Sequence, residues 1–260
     1  MFRILLLALI SLLGLTLATN LLAASLTAQE TIERSKQNGK GFKDLTQKVK
    51  MILLDEEGDS KERVMLMQAL TEADGDSFSL LTFTAPRREK GIALLTVAEK
   101  QEADKQYLYL PSTRRVKRIL GGNRAASFRG SEFTFEDLSD QSTSDYRFEL
   151  VAEEACGELS CYVLDRFPKT DESSYSKTRL WIDAQHFRPI KADFYDLDDK
   201  LLKTMTTQNY RLADNQYWYP EFIVMENHQT RKSTRMQSLK LELNTGLSAR
   251  QFSELALRRN

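Results

Sequence analysis

Apolar and polar positions change rhythm along this 260-residue chain. Residues 4–17 form a mostly apolar run behind Arg3. Residues 27–38 carry a weak apolar stripe around Ala28 and Ile32, closed by Gly39 and Gly41, and this predicts a helix. From residue 48 the period shortens to two. Strand-like runs at 48–55, 63–70, 78–84, 92–98 and 107–110 are separated by Glu57-Gly58-Asp59, by Ala73-Asp74-Gly75-Asp76 and by Pro86. The habit returns at 146–152, 162–167, 176–183, 189–195, 201–210, 217–227 and 230–244. Leu239, Leu241 and Leu243 alternate with Lys240 and Glu242, which predicts one buried and one wet face. Ser248 and Gln251 have capping-box spacing ahead of a helix over 249–257, with Phe252, Leu255 and Ala256 on its apolar side. A further short helix is expected at 132–138.

These elements predict a mainly β fold, a curved antiparallel sheet or incomplete β-barrel of about eleven strands with a few covering helices. No Pro-, Gly- or Ser-rich linker divides residues 25–260, so they read as one domain. A sheet that large curls, and two or three helices cannot fill its interior, so a cavity suited to acyl chains or other apolar ligands is expected. Its candidate lining residues are Phe78, Leu80, Phe83, Leu94, Trp181 and Phe222 from the strands, with Phe128, Phe133 and Phe135 between the two halves. Alternation alone does not say which half of the strand residues faces inward, and for any one of them ordinary core packing is the competing assignment.

The N-terminal run is shorter than the about 20 residues needed to span a bilayer. One basic residue, the apolar core and an exit at Ala23 and Ala24 read as a cleaved signal peptide over residues 1–24, which places the mature chain in the periplasm. Lys plus Arg and Asp plus Glu both number 37, so bulk attraction to nucleic acid is excluded as the basis of function. In an oxidising compartment the two cysteines, Cys156 and Cys161, can close a disulfide across a tight turn at Gly157; two free thiols are the alternative. The two histidines, His186 and His228, have no zinc-binding spacing, and no nucleophile elbow or phosphate loop occurs. Residues 196–200 lack the glycine and distal glutamate of a calcium loop and read as a hairpin turn. No metal or other cofactor is implied. Hydrolysis by an acid pair is the remote alternative, since nothing marks out two carboxylates.

Charge is most concentrated at 111–154. Arg114, Arg115, Lys117, Arg118, Arg124 and Arg129 occur with no acid among them; from Ser131 to Glu154 acids dominate, with Arg147 the sole base. Arg114, Arg115, Lys117 and Arg118 are candidates for docking an acidic partner or anionic headgroups. The competing assignment pairs these arginines with Glu132, Glu136 and Asp137.

The same region carries a family likeness. Tyr109-Leu110-Pro111 with Arg115-Val116-Lys117-Arg118-Ile119 is one block, and Phe128-Arg129-Gly130-Ser131-Glu132-Phe133-Thr134-Phe135-Glu136-Asp137-Leu138 is the next. With Arg34-Ser35-Lys36, Gly91, Phe194-Tyr195-Asp196, Lys203 and Phe252, they resemble the periplasmic outer-membrane lipoprotein-sorting family, the LolA-like branch often encoded beside RND-type exporters. The resemblance spans the mature chain. It implies an incomplete barrel closed by helices over a hydrophobic cavity, and carriage of lipid or lipoprotein acyl chains towards the outer membrane by a monomer without enzymatic activity. An RND-type inner-membrane exporter is the implied partner, and a non-shuttling accessory of such an exporter is the alternative function.

Overall fold

The computed structural model describes residues 26–38, 41–73, 75–99, 104–139, 142–215 and 217–258. The predicted signal peptide lies outside the described residues. Helix α1 (Ala28–Asn38) precedes six strands, β1 (Asp44–Leu54), β2 (Ser60–Thr71), β3 (Ser77–Ala85), β4 (Ala93–Ala98), β5 (Lys105–Leu110) and β6 (Arg115–Ile119). Seven more follow, β7 (Tyr146–Cys156), β8 (Leu159–Pro168), β9 (Lys177–Asp183), β10 (Pro189–Tyr195), β11 (Leu201–Ala213), β12 (Tyr217–Asn227) and β13 (Ser233–Leu243), before a closing helix α2 (Glu254–Leu257).

All thirteen strands form one sheet in the order β6-β5-β4-β3-β2-β1-β13-β12-β11-β10-β9-β8-β7. Each half is an antiparallel meander, and β1 joins β13 at the centre. Strands β6 and β7 end the sheet and do not pair, so the barrel stays open. The strand count exceeds the expected eleven chiefly through β6, whose exposed Arg115, Lys117 and Arg118 hide a strand behind a polar composition. The helix expected at 132–138 is absent. Thr134 and Asp137 instead exchange hydrogen bonds with each other's backbone, Thr134 N–H to Asp137 Oδ2 at 2.7 Å and Asp137 N–H to Thr134 Oγ1 at 3.1 Å. That local closure offers the backbone an alternative to a helix. In β13 the register against β1 slips between Lys48 and Val49, which leaves Leu239 exposed where alternation alone predicts a buried leucine.

Both faces of the first meander are covered. Residues 120–139, which follow β6, lie over one face, here called inner, where Met51, Met65, Leu81, Phe83, Leu94 and Leu108 pack with Phe128 and Phe135. The closing segment covers the outer face, where Phe252 and Leu257 pack on Leu70, Leu80, Leu95 and Tyr109. Helix α1 lies on the inner face of the second meander, with Ala28 and Ile32 against Leu164 and Ile182. Cys156 and Cys161 form a disulfide across the β7–β8 turn.

Three aspartates tie the sheet together. Asp44 accepts hydrogen bonds from the Thr245 N–H (2.6 Å) and hydroxyl (2.7 Å) and from the Gly246 and Leu247 N–H groups, which joins the start of β1 to the end of β13. Burial raises the Asp44 carboxyl, but these bonds outweigh it and hold the group below its ordinary 3.8. The Arg179 hydrogen bonds at 2.7 and 2.8 Å hold Asp165 low. At Asp183, burial is outweighed by Arg188 Nε at 2.6 Å and the His186 N–H. Each depressed carboxyl contributes stability that is present above the unfolded value and lost as pH falls through the folded one. The urea midpoint should therefore be flat above about pH 5 and fall steeply below about pH 4. An unchanged midpoint down to pH 2 would contradict these assignments.

Candidate functional site

The inner face is where both the sequence motifs and the sheet geometry converge. Phe128 stacks on Phe83 at 5.7 Å and meets Phe135 edge-on at 5.6 Å. Gln106 Nε2 donates to the Phe135 carbonyl at 2.9 Å. Arg63 donates to the Arg129 carbonyl at 2.7 Å and pairs with buried Glu89 at 2.9 Å. Further along, Glu132 N–H donates to Thr234 Oγ1 (2.9 Å), and its carboxylate accepts from Asn227 (2.8 Å).

The strongest fastening is a buried ion pair. Lys203 Nζ lies 2.6 Å from Asp137 Oδ2 and also donates to the Glu132 carbonyl at 3.1 Å. Both side chains are under 5 % exposed, at 2 % and 4 %. Tyr175 donates its hydroxyl to Asp137 Oδ1 at 2.9 Å, and Lys203 sits 5.1 Å from the Tyr175 and Phe194 ring centres. Burial first, then the Asp137 charge, pushes the Tyr175 phenol far above its ordinary range. Glu136 is equally occupied, accepting from Ser173 Oγ (2.5 Å), Ser174 Oγ (2.5 Å) and Ser174 N–H (2.9 Å). The motif residues Glu132, Phe133, Glu136, Asp137, Phe194 and Lys203, up to 71 positions apart, thus form one lock holding the crossover on the sheet.

This placement sorts the candidate lining residues. Phe83, Leu94, Phe128 and Phe135 share one inner-face cluster, and Phe133 joins Tyr175, Phe194 and Met225 in the next. Phe78 and Leu80, out of phase with Phe83, lie on the outer face near Phe252. Trp181 and Phe222 alternate with inner-face Leu180 and Ile223 and so point outward; Lys191 covers the Trp181 ring at 4.1 Å and Arg235 the Phe222 ring at 3.9 Å. The acids once available to the basic run, Glu132, Glu136 and Asp137, are bonded inside. Among the described residues, Arg114, Arg115, Lys117 and Arg118 have no ion-pair or side-chain hydrogen-bond partner.

Among the described residues, two openings lie against α1 and the closing segment. One of about 100 Å³ lies under α1, bounded by Ile32, Ser35, Tyr146, Phe148, Arg166 and Leu180. Its wall holds the guanidinium of Arg166, 4.5 Å from the Tyr146 ring centre and 3.2 Å from Thr178 Oγ1; burial pushes its pKa down. Sequence reasoning missed Arg166, because one arginine in an alternating strand carries no local signal. The other opening, about 560 Å³, is a half-open outer-face hollow between Gln68, Leu80 and the closing segment at Arg250, Gln251, Leu255 and Ala256.

An outer-membrane lipoprotein-sorting protein domain of Vibrio parahaemolyticus superposes with a TM-score of 0.85 at 36 % identity, covering 89 % of this chain and 98 % of that one. The chain belongs to the outer-membrane lipoprotein-sorting family. A DUF1329 family protein of Desulfovibrio piger is similar at TM-score 0.82 and 25 % identity, covering 89 % and 99 % of the two chains. A LolA superfamily protein of Nitrosomonas europaea shares the fold at TM-score 0.70 and 21 % identity, over 89 % and 100 %. A family model described as an uncharacterized protein matches residues 75–259. No curated protein matches by sequence. This LolA-like fold is one thirteen-stranded open antiparallel sheet with few helices.

Proposed function

We propose that this LolA-like protein is an exported, periplasmic, non-enzymatic carrier that holds the acyl part of a lipid or lipoprotein beneath α1 and moves it towards the outer membrane. The observation that carries the proposal is the unequal fastening of the two inner-face covers. The crossover is locked by the buried Lys203–Asp137 ion pair and by hydrogen bonds. Helix α1 buries only Ala28, Thr31 and Ile32.

Magnitudes favour α1 as the cover that moves. An eleven-residue helix is marginal by itself and depends on its packed face. Withdrawing Ile32 from the core costs about 1.5–3 kcal/mol. Breaking the Lys203–Asp137 pair costs about 3–5 kcal/mol, since it strands a buried charge. Each acyl methylene buried returns roughly 0.8 kcal/mol, so a few methylenes offset the displacement of Ile32. The opening under α1 is smaller than the about 300–1,000 Å³ of typical ligand sites, so occupancy requires α1 to lift. Once lifted, the helix exposes apolar Leu164, Leu180 and Phe148 for the chain, with Arg166 in position to meet an anionic or carbonyl-bearing headgroup.

The test is mass spectrometry of organic extracts from the purified mature protein. Recovery of acyl lipid near one chain-bearing molecule per protein supports the reading; extracts free of lipid from both native-host and heterologous preparations contradict it.

A further inference from the structure

We infer that the free edge of β6 is a docking site for an extended acidic segment of another protein, which adds to the sheet as a strand beside β6. The inference stands on the edge itself and does not depend on acyl binding.

β6 pairs only with β5, from Gln106–Ile119 to Leu110–Arg115, and ends the sheet. Among the described residues its outer backbone row has no hydrogen-bond partner. Such a row is a template for another strand, and proteins commonly guard it with charge. Here the charge is of one sign. Arg115 and Lys117 share one face of the strand, in register with Leu110 and Leu108, while Arg118 lies on the other, opposite Tyr107. All three are exposed, and Arg114 extends the series from the preceding turn. None has an acidic partner among the described residues, because the crossover's acids are bonded within the lock. Leu120, at the end of the strand, is 56 % exposed and offers an apolar contact beside the cations.

An acidic strand satisfies every part of this surface. Its main chain supplies the missing hydrogen bonds, acids at alternate positions meet Arg115 and Lys117 on one face, and an acid in the opposite phase meets Arg118 on the other. A second β6 is opposed by like charge. An anionic membrane would meet the cations but leave the backbone row to water, so the strand edge favours a peptide.

The experiment uses a fluorescein-labelled decapeptide of alternating Glu and Val, titrated into the mature protein by anisotropy. A peptide with Lys in place of Glu is the charge control. Two further versions carry N-methyl groups on alternate residues, one in each phase. Strand addition predicts that the acidic peptide binds, the Lys peptide does not, and only one N-methyl phase weakens binding by at least about tenfold. The combined Arg115→Glu, Lys117→Glu and Arg118→Glu variant keeps a charged edge but reverses its sign. It should lose acidic-peptide binding by at least about tenfold and gain binding of the Lys peptide, with its thermal midpoint unchanged. Three results would overturn the inference. The first is equal binding by both N-methyl phases. The second is no peptide binding alongside charge-dependent sedimentation with phosphatidylglycerol vesicles. The third is concentration-dependent self-association that the reversed variant abolishes.

Discussion

Replacing Asp137 with alanine should destabilise the protein by about 3–5 kcal/mol, the cost of leaving the Lys203 ammonium buried without its counter-charge. Lys203 is 2 % exposed and cannot reach water without unseating the crossover. The same substitution strips the Tyr175 hydroxyl of its acceptor and frees the Thr134 N–H. Urea unfolding should show a lowered midpoint with an unchanged slope, as expected for a change in stability alone. Asp137→Asn keeps the shape and part of the hydrogen bonding but not the charge, so it should fall between the two. The double variant Asp137→Leu with Lys203→Met should recover most of the loss, because an apolar pair of similar volume needs no desolvated charge. A loss below about 1 kcal/mol for Asp137→Ala would place the pair in an effectively aqueous setting and dissolve the argument for a locked crossover.

The second large effect is expected at Phe128. Its ring is fully buried between Phe83 and Phe135, and truncation to alanine should cost about 3–5 kcal/mol through lost burial and the cavity left behind. Phe128→Leu, which retains more of the volume, should cost clearly less. The comparison discriminates between two roles for the aromatic motif. A residue lining an open ligand cavity would tolerate truncation, whereas a residue filling the sheet's interior would not. A Phe128→Ala midpoint within experimental error of the wild type would return Phe128 to the ligand surface.

Much of this architecture is legible in the sequence because antiparallel hairpins leave local marks. Turns at Gly58, Gly75 and residues 196–200, and period-two alternation between them, locate nearly every strand. β6 escapes because an edge strand has little to bury, so Arg115, Lys117 and Arg118 erase the alternation. The choice of faces is less legible, and the reason is physical. β3 is covered on both sides, by the crossover and by the closing segment, so Leu80 and Leu81 are both buried although they point in opposite directions. Alternation in burial, the usual guide to an inner face, is therefore cancelled where the core is deepest. The lock is least legible of all. Nothing in the spacing of Asp137, Tyr175 and Lys203 pairs them, since β9, β10 and β11 set Tyr175 near Lys203 and the long crossover brings Asp137 to both. The motif nonetheless signals that residues 128–138 matter, and its Phe128, Phe133 and Phe135 rings pack on the sheet where a count of helices suggests empty space.

That substitution of a packed crossover for an open cavity shifts attention to α1. Entry of acyl chains beneath it is tested by displacement of a fluorescent fatty-acid probe from the wild type and from Ser35→Trp. Ser35 faces the opening from the helix, so an indole there fills the space a chain would take. Probe binding to the wild type should be saturable and weakened by at least about tenfold in Ser35→Trp, with the thermal midpoint nearly unchanged. Equal probe binding by the two proteins would contradict entry beneath α1.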